Sequence, residues 1–487
     1  MRARTSSCIA FALALFIAHI SAQTADVLQL APETPSRPWR LPATMPSTDV
    51  DSADESSLVD PAKAYDLPAL IDLAERSNPA TREAWERARQ AALAVGLVES
   101  AYLPQISAEA LAGYQRTPLP IPSTLIQKGY FTSDTRELVP SLAVKWLLFD
   151  FGRRKYTEQA TRENSFVANV TFTGAHQQLI FAVSRDYYTY SAERGKEQAA
   201  ENALRTAEID RDAVQAQRKN GLATIVDVAK AERQVAQAKF NMARETGAVR
   251  TAYAVLLADV GVSPTIDIRI TQNSGESLPT APAETIEQYI HEALANRPDV
   301  LAAFAKQRAA RASVEEARAE HRPTVALVAQ AYQNIGALRS DDGPYSHVDK
   351  PGGALFVQFS VPLFDGNRRN TQVAIAHAEE AAADDQIDVA RHGAVRDVTE
   401  AYFALTTAIA EDDAAVVLVQ AARTAHAASL ESYRRGVGTY TNLADDENAL
   451  VQAETELEDA GANVRIAAAA LALATGRIGS DEDGAYP

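Results

Sequence analysis

Hydrophobic and polar residues alternate with a period of two in two segments of the chain, a pattern typical of β-strands with one buried face. In the earlier segment Ser141 and Lys145 share one face, and the opposite face carries Leu142, Val144, Trp146 and Leu148. In the later segment the apolar face carries Leu355, Val357, Phe359, Val361 and Leu363. Each segment therefore predicts a strand with one consistently apolar face.

Each of these strands follows a shorter alternating segment, over 106–110 in the first half and 325–329 in the second. The stretches between them, Thr117–Ser133 and Asn334–Gly353, are rich in Pro, Gly and Ser and predict loops. Each half thus predicts one β-hairpin. The alternation fits a membrane barrel, and it equally fits a half-buried sheet in a soluble domain. Since the smallest membrane barrels use about eight strands, a barrel here requires strands pooled from several subunits.

Two very long proline-free segments follow the predicted hairpins, Arg153–Lys219 and Arg369–Arg435. Each predicts a helix of about 65 residues, or ~100 Å at 1.5 Å per residue. Helices of this length are typical of coiled coils and tubes rather than compact domains. Their apolar positions are mostly alanine, which favours close packing of helices in a thin wall.

Shorter helices flank the long ones. One helix is predicted before each hairpin, over Leu67–Tyr102 and Thr285–His321, because Ala, Glu, Arg and Leu dominate these segments. A returning helix is predicted after each long helix, over 225–257 and 443–474. A short helix and a returning helix together match the length of the long one, so we expect them to stack end to end beside it.

The landmarks of the first half recur in the second. The matching pairs are Asn78-Pro79 with Arg297-Pro298, Phe149-Asp150 with Phe364-Asp365, Val183 and Tyr187 with Val398 and Tyr402, and Gly221 with Gly436. Their nearly constant separation indicates a duplicated unit, and the two glycines predict the tips of helical hairpins. We place the first repeat at 65–262, a linker at 263–283, the second repeat at 284–475 and a C-terminal tail at 476–487.

The N-terminal end predicts export. Residues 1–22 have the basic start, the apolar run and the small residues of a secretory signal peptide. Residues 23–64 form a leader rich in proline and acidic residues, which buries too little apolar surface to fold alone. The single cysteine, Cys8, lies inside the signal, so the mature chain is predicted to have no disulfide and no thiolate metal site.

Charge and motifs exclude several classes of function. The formal net charge of −17 argues against nucleic-acid binding, which requires basic surfaces. The sequence contains no HExxH, Walker, GxSxG or CxxC motif. We therefore predict that the protein is not an enzyme and needs no cofactor or metal.

The ordered pairs of landmarks resemble those of the TolC-type outer-membrane efflux proteins, over nearly all of the chain after Leu67. The resemblance implies an α+β membrane protein that is a homotrimer in the outer membrane, with a large periplasmic part. Each subunit would give four strands to a twelve-stranded barrel in the lipid, and the long helices would form a coiled-coil tunnel. A periplasmic adaptor protein and an inner-membrane pump, proton-driven or ATP-driven, would be the partners of this passive channel.

The same resemblance assigns a periplasmic aperture to the second hairpin tip. It places Asn442 and Asp445 at the positions of a ring of acidic residues, with Asp446 adjacent. Because Asn442 replaces an acid, the constriction would carry less negative charge than usual in the family. The alternative is that Asn442 caps a helix whose positive N-terminus the following acids, Asp445, Asp446 and Glu447, stabilise.

The resemblance also assigns a gate latch. Asp227 and Tyr433 match the carboxylate and the tyrosine of the latch, while Gly438 stands at the usual arginine position, with Arg434 or Arg435 as available substitutes.

The hairpin tips would contact the adaptor. The contact residues would be Gly221, Leu222, Gly436, Val437 and Thr439. The alternative is that the two glycines serve only the geometry of the turns.

Two functions from different classes remain open at this stage. The first is an outer-membrane duct for efflux or type I secretion. The second is a periplasmic coiled-coil scaffold or adaptor without a membrane barrel. The transported substrate is not encoded in any motif, because a wide tunnel needs no specific pocket.

Overall fold

The computed structural model describes residues 59–60, 63–124, 127–271 and 278–479. The predicted signal peptide lies outside the described residues, as do most of the leader and most of the C-terminal tail.

Helices make up most of the described chain. The eight α-helices within it are α1 (Leu67–Ser77), α2 (Pro79–Glu99), α3 (Arg153–Lys219), α4 (Ile225–Val260), α5 (Ile286–Asn296), α6 (Pro298–Ala319), α7 (Arg368–Arg434) and α8 (Tyr440–Thr475). The long helices α3 and α7 have 67 residues each, which confirms both predictions to within one residue. The returning helices α4 and α8 have 36 residues each and run slightly past their predicted ends.

The single predicted helices before each hairpin are wrong, because each consists of two helices. The break between α1 and α2 is at Asn78, and the break between α5 and α6 is at Arg297, and both residues have extended backbones. Each precedes a proline, whose ring disfavours the helical conformation in the residue before it. A short 3₁₀ turn at Ser100–Tyr102 follows α2.

Two sheets occur among the described residues. Strands β1 (Ala64–Tyr65) and β4 (Arg269–Ile270) form a short parallel pair that joins the start of the first repeat to the predicted linker. The large sheet is antiparallel, in the order β2 (Gln105–Pro120), β3 (Tyr130–Phe149), β5 (Thr324–Ser340) and β6 (Ser346–Ser360). It therefore consists of one hairpin from each repeat, as predicted.

The two predicted loops, Thr117–Ser133 and Asn334–Gly353, are wrong in extent, because the strands continue well into both. Pro118 and Pro120 lie in β2 and Pro351 lies in β6, the two edge strands of the sheet in a single chain, whereas Pro122 and Pro344 lie between strands. An edge strand tolerates proline because one of its sides needs no hydrogen-bond donor. Proline was therefore a weaker signal for a loop than the sequence suggested.

The prediction of one apolar face is confirmed by the register. Ile106, Val144, Ala329 and Leu355 pair in one row across all four strands. The rows on either side place Leu142 and Trp146 on the same face. Of the residues predicted there, Val361 and Leu363 lie beyond the end of β6.

The helices form a wall with α3 near its centre. Helices α2 and α4 pack along α3, helices α6 and α8 also pack along α3, and α7 packs on α6 and α8. Across the wall, the first column is formed by α2 and α4, the second by α3, the third by α6 and α8, and the fourth by α7. This arrangement agrees with the predicted stacking of short and returning helices beside the long ones.

The stacking is fixed where each returning helix ends at a proline break. In the first repeat the Asn78 amide donates to the Asp259 carbonyl oxygen at 2.8 Å, and the Ser77 hydroxyl donates to Val260 at 2.7 Å. In the second repeat Arg297 donates to the Ala474 carbonyl oxygen at 3.3 Å. The duplicated sequence landmarks therefore form equivalent joints in the two halves.

Candidate functional site

The first hairpin tip joins α3 to α4. Gly221 has φ of +77°, a left-handed conformation that glycine adopts without strain. The Leu222 amide donates to the Gln217 carbonyl oxygen at 2.9 Å and closes the end of α3. A reciprocal capping box then starts α4. The Asp227 amide donates to Thr224 Oγ1 at 3.2 Å, and the Thr224 amide donates to Asp227 Oδ2 at 2.9 Å.

The second tip joins α7 to α8 with the same design. Gly436 has φ of +75°, and the Val437 amide donates to the Ser432 carbonyl oxygen at 3.1 Å. Thr439 caps α8, because its Oγ1 accepts the Asn442 amide at 3.3 Å. The interpretation of Asn442 as the capping residue is therefore wrong, since Asn442 is the third residue of α8 and the partner of the cap.

The two tips of one chain lie side by side and are joined directly. Lys230 Nζ donates to Thr441 Oγ1 at 2.6 Å, and Gln234 Nε2 donates to Asn448 Oδ1 at 2.7 Å, both between α4 and α8. Beneath these contacts is a small apolar core shared by both tips. Its buried members are Val214, Val228, Ala231, Tyr440, Leu443 and Ala444.

The residues predicted for the aperture separate into two environments. Asn442 and Asp445 are exposed, and their spacing of three residues puts them on one face of α8. Asp446 is half-buried instead, and its carboxylate accepts a hydrogen bond from the Ser429 hydroxyl of α7. The structure thus brings Asn442 and Asp445 together and turns Asp446 toward the neighbouring helix. The ring itself stays a prediction.

The residues predicted for the latch each have a partner within the chain. Asp227 Oδ2 also accepts the Thr224 hydroxyl at 2.7 Å, and the Thr224 hydrogen bonds lower the pKa of Asp227. The Tyr433 hydroxyl donates to Gln217 Oε1 at 2.9 Å, which links α7 to α3. Across the described ranges no hydrogen bond joins Asp227 to Tyr433. A latch between them stays a prediction.

The candidate substitutes for the missing arginine differ in environment. Arg435 Nε pairs with Glu431 of its own helix at 2.7 Å. Arg434 lies close enough to the Asp210 carboxyl to lower its pKa, although burial outweighs this effect and raises that pKa overall. Arg434 therefore faces α3, whereas Arg435 is engaged on α7.

A buried polar cluster on α8, near Asn442 and Asp445, was not predicted from the sequence. Glu447 is only 3% exposed, and no hydrogen-bond partner for its carboxylate lies within the part of the chain described. Burial raises the pKa of Glu447 to about 7, and the nearby Asp210 adds to the shift. The Tyr440 hydroxyl is likewise buried without a partner among these residues, and burial raises the pKa of Tyr440.

The sequence does contain a signal for the burial of Glu447. Glu447 follows Leu443 by four residues and Ala444 by three, so all three lie on the same side of α8. Leu443 and Ala444 are buried in the core shared by the tips. Periodicity therefore places Glu447 on the packed side, although its charge suggested a surface position.

The described residues show neither a metal centre nor a helical membrane span. No group of three or more His, Cys, Asp or Glu side chains in these ranges is arranged to hold a metal ion. Likewise, none of the described helices is both long and apolar enough to cross a lipid bilayer.

Comparison with known proteins identifies the family. The family model described as "Outer membrane efflux protein" matches residues 70–262 and 289–477, which is most of the chain in two segments. The chain belongs to the outer membrane efflux protein family. It is therefore an outer-membrane channel protein with a large periplasmic part and not an enzyme.

Individual relatives agree with this assignment. The chain is 29% identical over 438 residues to Protein CyaE of Bordetella pertussis, with 88% of each chain covered. It is 26% identical over 392 residues to outer membrane efflux protein BepC of Brucella suis, with 80% of each covered. The fold is similar to that of outer membrane protein VceC of Vibrio cholerae, with a TM-score of 0.66, 20% identity, and 84% of this chain and 96% of that chain covered. The alternative of a scaffold or adaptor without a membrane part is thereby excluded.

Proposed function

We propose that three copies of this chain assemble into one passive channel that carries substrates from an inner-membrane pump across the periplasm and the outer membrane. The observation that carries the proposal is that both the large sheet and the helical wall of a single chain end in edges without a neighbouring element. The sheet ends in two long edge strands, β2 and β6, with backbone groups free to pair with another chain. The helical wall exposes apolar side chains along both of its lateral edges, on α4 and on α7.

The two lateral edges of the helical wall, α4 and α7, each expose an apolar side chain at a similar distance from the tips. On the side of α4, Phe240 is 65% exposed, and on α7 at the other side Val417 is 68% exposed. Both residues lie about 25 Å from their hairpin tips at 1.5 Å per helical residue. Val416 and Leu418 beside Val417 are exposed as well, and contiguous exposed apolar surface on a folded chain marks an interface. A head-to-tail contact of these two sides, repeated three times, closes the wall into a tube and the sheet into a twelve-stranded barrel.

The exposed face of the large sheet fits the outer-membrane lipid as its partner. The row formed by Ile106, Val144, Ala329 and Leu355 continues into further apolar rows on both sides. The opposite face carries Ser107, Glu109 and Ser141, which fit a water-filled interior. This distribution is the one expected of strands with lipid outside and water inside.

The hairpin tips fit the adaptor as a partner. Leu222 and Val437 are 79% and 81% exposed at the ends of the two tips, each held out by a glycine turn. Two similar apolar protrusions per subunit offer six docking positions on a trimer. Exchange of both residues for Asp should abolish capture of the adaptor while the trimer persists.

Cysteine cross-linking tests the assembly, because the only cysteine of the chain lies in the predicted signal peptide. Phe240→Cys with Val417→Cys should give covalent dimers and trimers and no larger species. Leu97→Cys with Val417→Cys is the matched control, because Leu97 lies on α2 near the sheet, far from the height of Val417. A water-soluble monomer, or a ladder that continues past the trimer, would refute the proposal.

A further inference from the structure

The lipid-facing side of the large sheet changes character toward its end farthest from the helices. On this face the residues of β3 are apolar from Phe149, which pairs with Val325 past a bulge at Leu148, to Leu138, and then Arg136 and Asp134 follow. The register places Arg116 and Arg339 on either side of Asp134 and Tyr114 beside Arg136. A charged cluster thus borders the apolar face directly.

The position of the cluster matches a membrane interface. Between the row of Phe149 and Val325 and the row of Leu138 and Ile335, the sheet rises roughly 33 Å at about 3.3 Å per residue. For a strand tilted by about 40° this is about 25 Å across the membrane, the usual height of the apolar band of outer-membrane strands. Arg136 comes two residues farther on and therefore lies at the level of lipid headgroups. Since the helices are periplasmic, this end of the sheet faces the outer leaflet.

A single carboxylate organises the cluster. Asp134 is fully buried, and its Oδ1 accepts the Tyr114 hydroxyl at 2.9 Å. Arg116 Nε lies 3.4 Å from the same oxygen, and Arg339 Nε donates to Asp134 Oδ2 at 3.2 Å. Two guanidinium groups therefore share one negative charge, and they are held in place from the neighbouring strands.

A third guanidinium lies beside them without an acidic partner. Arg136 is exposed, and over the described ranges it takes part in no ion pair. The guanidinium carbons of Arg136 and Arg339 lie 4.8 Å and 4.9 Å from the ring centroid of Tyr345. Three arginines against one aspartate leave a local excess of positive charge, on a chain whose formal net charge is −17.

We propose that this cluster of Arg116, Arg136 and Arg339 binds the phosphate groups of a phosphorylated lipid in the outer leaflet, the class to which lipid A belongs. Guanidinium groups bind phosphate through paired hydrogen bonds, and a cluster of them at a membrane surface favours anionic headgroups. The apolar side chains of β3 below the cluster, Leu138, Pro140 and Leu142, would accommodate the acyl chains of the same lipid, while Gln333 and Asp349 on the neighbouring strands pair with each other. The assignment goes beyond conduction and does not depend on the transported substrate.

Native mass spectrometry of the detergent-purified assembly with added diphosphoryl lipid A tests the proposal. Arg136→Gln should weaken lipid retention about fivefold, the effect of one cation at a membrane surface. Arg136→Lys should retain most of the binding because the charge remains. Lys350→Gln is the matched control, since Lys350 lies on the opposite face of the sheet, three residue rows nearer the helices than Arg136. Arg136 is the residue chosen for exchange because its loss leaves no buried carboxylate without an ion-pair partner.

The outcomes separate the possible sources of binding. Retention of diphosphoryl lipid A by the wild type and by Lys350→Gln, with at least tenfold less retention of dephosphorylated lipid A, supports the proposal. Equal retention by Arg136→Gln, or an equal loss in Lys350→Gln, overturns it. Full displacement of the lipid by millimolar inorganic phosphate also overturns it, because the site would then take free phosphate rather than a headgroup.

Discussion

Lys230 of the first repeat donates its ammonium hydrogen to the Thr441 hydroxyl of the second repeat at 2.6 Å, directly between the two hairpin tips of one chain. The two residues come from the starts of α4 and α8, which are the returning helices of the two repeats. The bond therefore opposes any separation of the two tips, the motion by which the predicted aperture would open.

Loss of this bond should favour the open state. Thr441→Val removes the acceptor, and an exposed hydrogen bond to a charged group contributes about 1 kcal/mol, so we expect up to fivefold more open channel. Single-channel conductance in planar bilayers measures the change. Lys239→Ala is the matched control, because Lys239 pairs with Glu208 of its own repeat at 3.6 Å. An unchanged open fraction in Thr441→Val would show that the bond does not restrain the tips.

Asn442→Asp should make the channel more selective for cations. Asn442 and Asp445 lie exposed on one face of α8, so the exchange adds one negative charge per subunit beside an existing one. A ring of carboxylates at a constriction favours cations. The reversal potential across a potassium chloride gradient should shift toward the potassium potential. Asp445→Asn should shift it the other way.

The control for this exchange is Asn448→Asp, six residues farther along the same helix. Asn448 accepts a hydrogen bond from Gln234, and an aspartate there can accept the same bond. If both variants shift the reversal potential equally, the effect comes from net charge and not from an aperture at Asn442.

The long helices and the hairpin tips were predictable because their causes are local. The first long helix follows from the absence of proline over Arg153–Lys219, and the tips follow from Gly221 and Gly436 after the two long helices. Neither feature depends on a distant contact. The breaks at Asn78 and Arg297 also have a local cause, the proline that follows each residue. Composition alone nevertheless predicts single helices across them, because helix-forming residues dominate on both sides of each proline.

Other features depend on distant contacts and were not predictable. Pro118 lies within β2 and Pro120 is its last residue, which β2 tolerates because it is an edge strand, and edge position follows from the topology of both repeats. Glu447 is buried because Asp210 and other residues of α3 come to lie against α8 only in the folded chain. The arginine cluster around Asp134 joins three strands from two repeats, so Arg339 comes from more than two hundred residues farther along the sequence than Asp134.

Glu447 should make the stability of the tips depend on pH. The pKa of about 7 in the folded chain lies above the ordinary value of 4.5, so the folded state binds the proton more tightly than the unfolded state. Its contribution to stability is therefore full below about pH 4.5 and is lost as the pH rises through 7. Complete ionisation costs about 3 kcal/mol at most.

Glu447→Gln should remove most of this dependence, because the amide keeps the shape without the charge. The midpoint of thermal unfolding, measured from pH 5 to pH 9, should fall with pH in the wild type and much less in the variant. Asp210, Tyr440, His426 and Arg434 surround the same buried region and remain unchanged in this comparison. Asp445→Asn, an exposed exchange on the same helix, should keep the wild-type slope. A parallel decline in Glu447→Gln and the wild type would contradict the assignment.

Gly261→Ala should destabilise the joint between α4 and the break at Asn78. Gly261 has φ of +83°, and a Cβ atom there would lie 2.8 Å from the Asn78 Cα atom, a backbone atom that cannot turn aside. The left-handed conformation alone costs a non-glycine residue roughly 1–2 kcal/mol, and the contact adds to that cost. Gly247→Ala on the same helix is the matched control, because a Cβ there meets nothing within 4 Å and alanine favours helix by up to about 1 kcal/mol. Thermal unfolding should therefore move in opposite directions for the two exchanges. Equal and small shifts would mean that α4 does not depend on close contact with the break at Asn78 for its stacking.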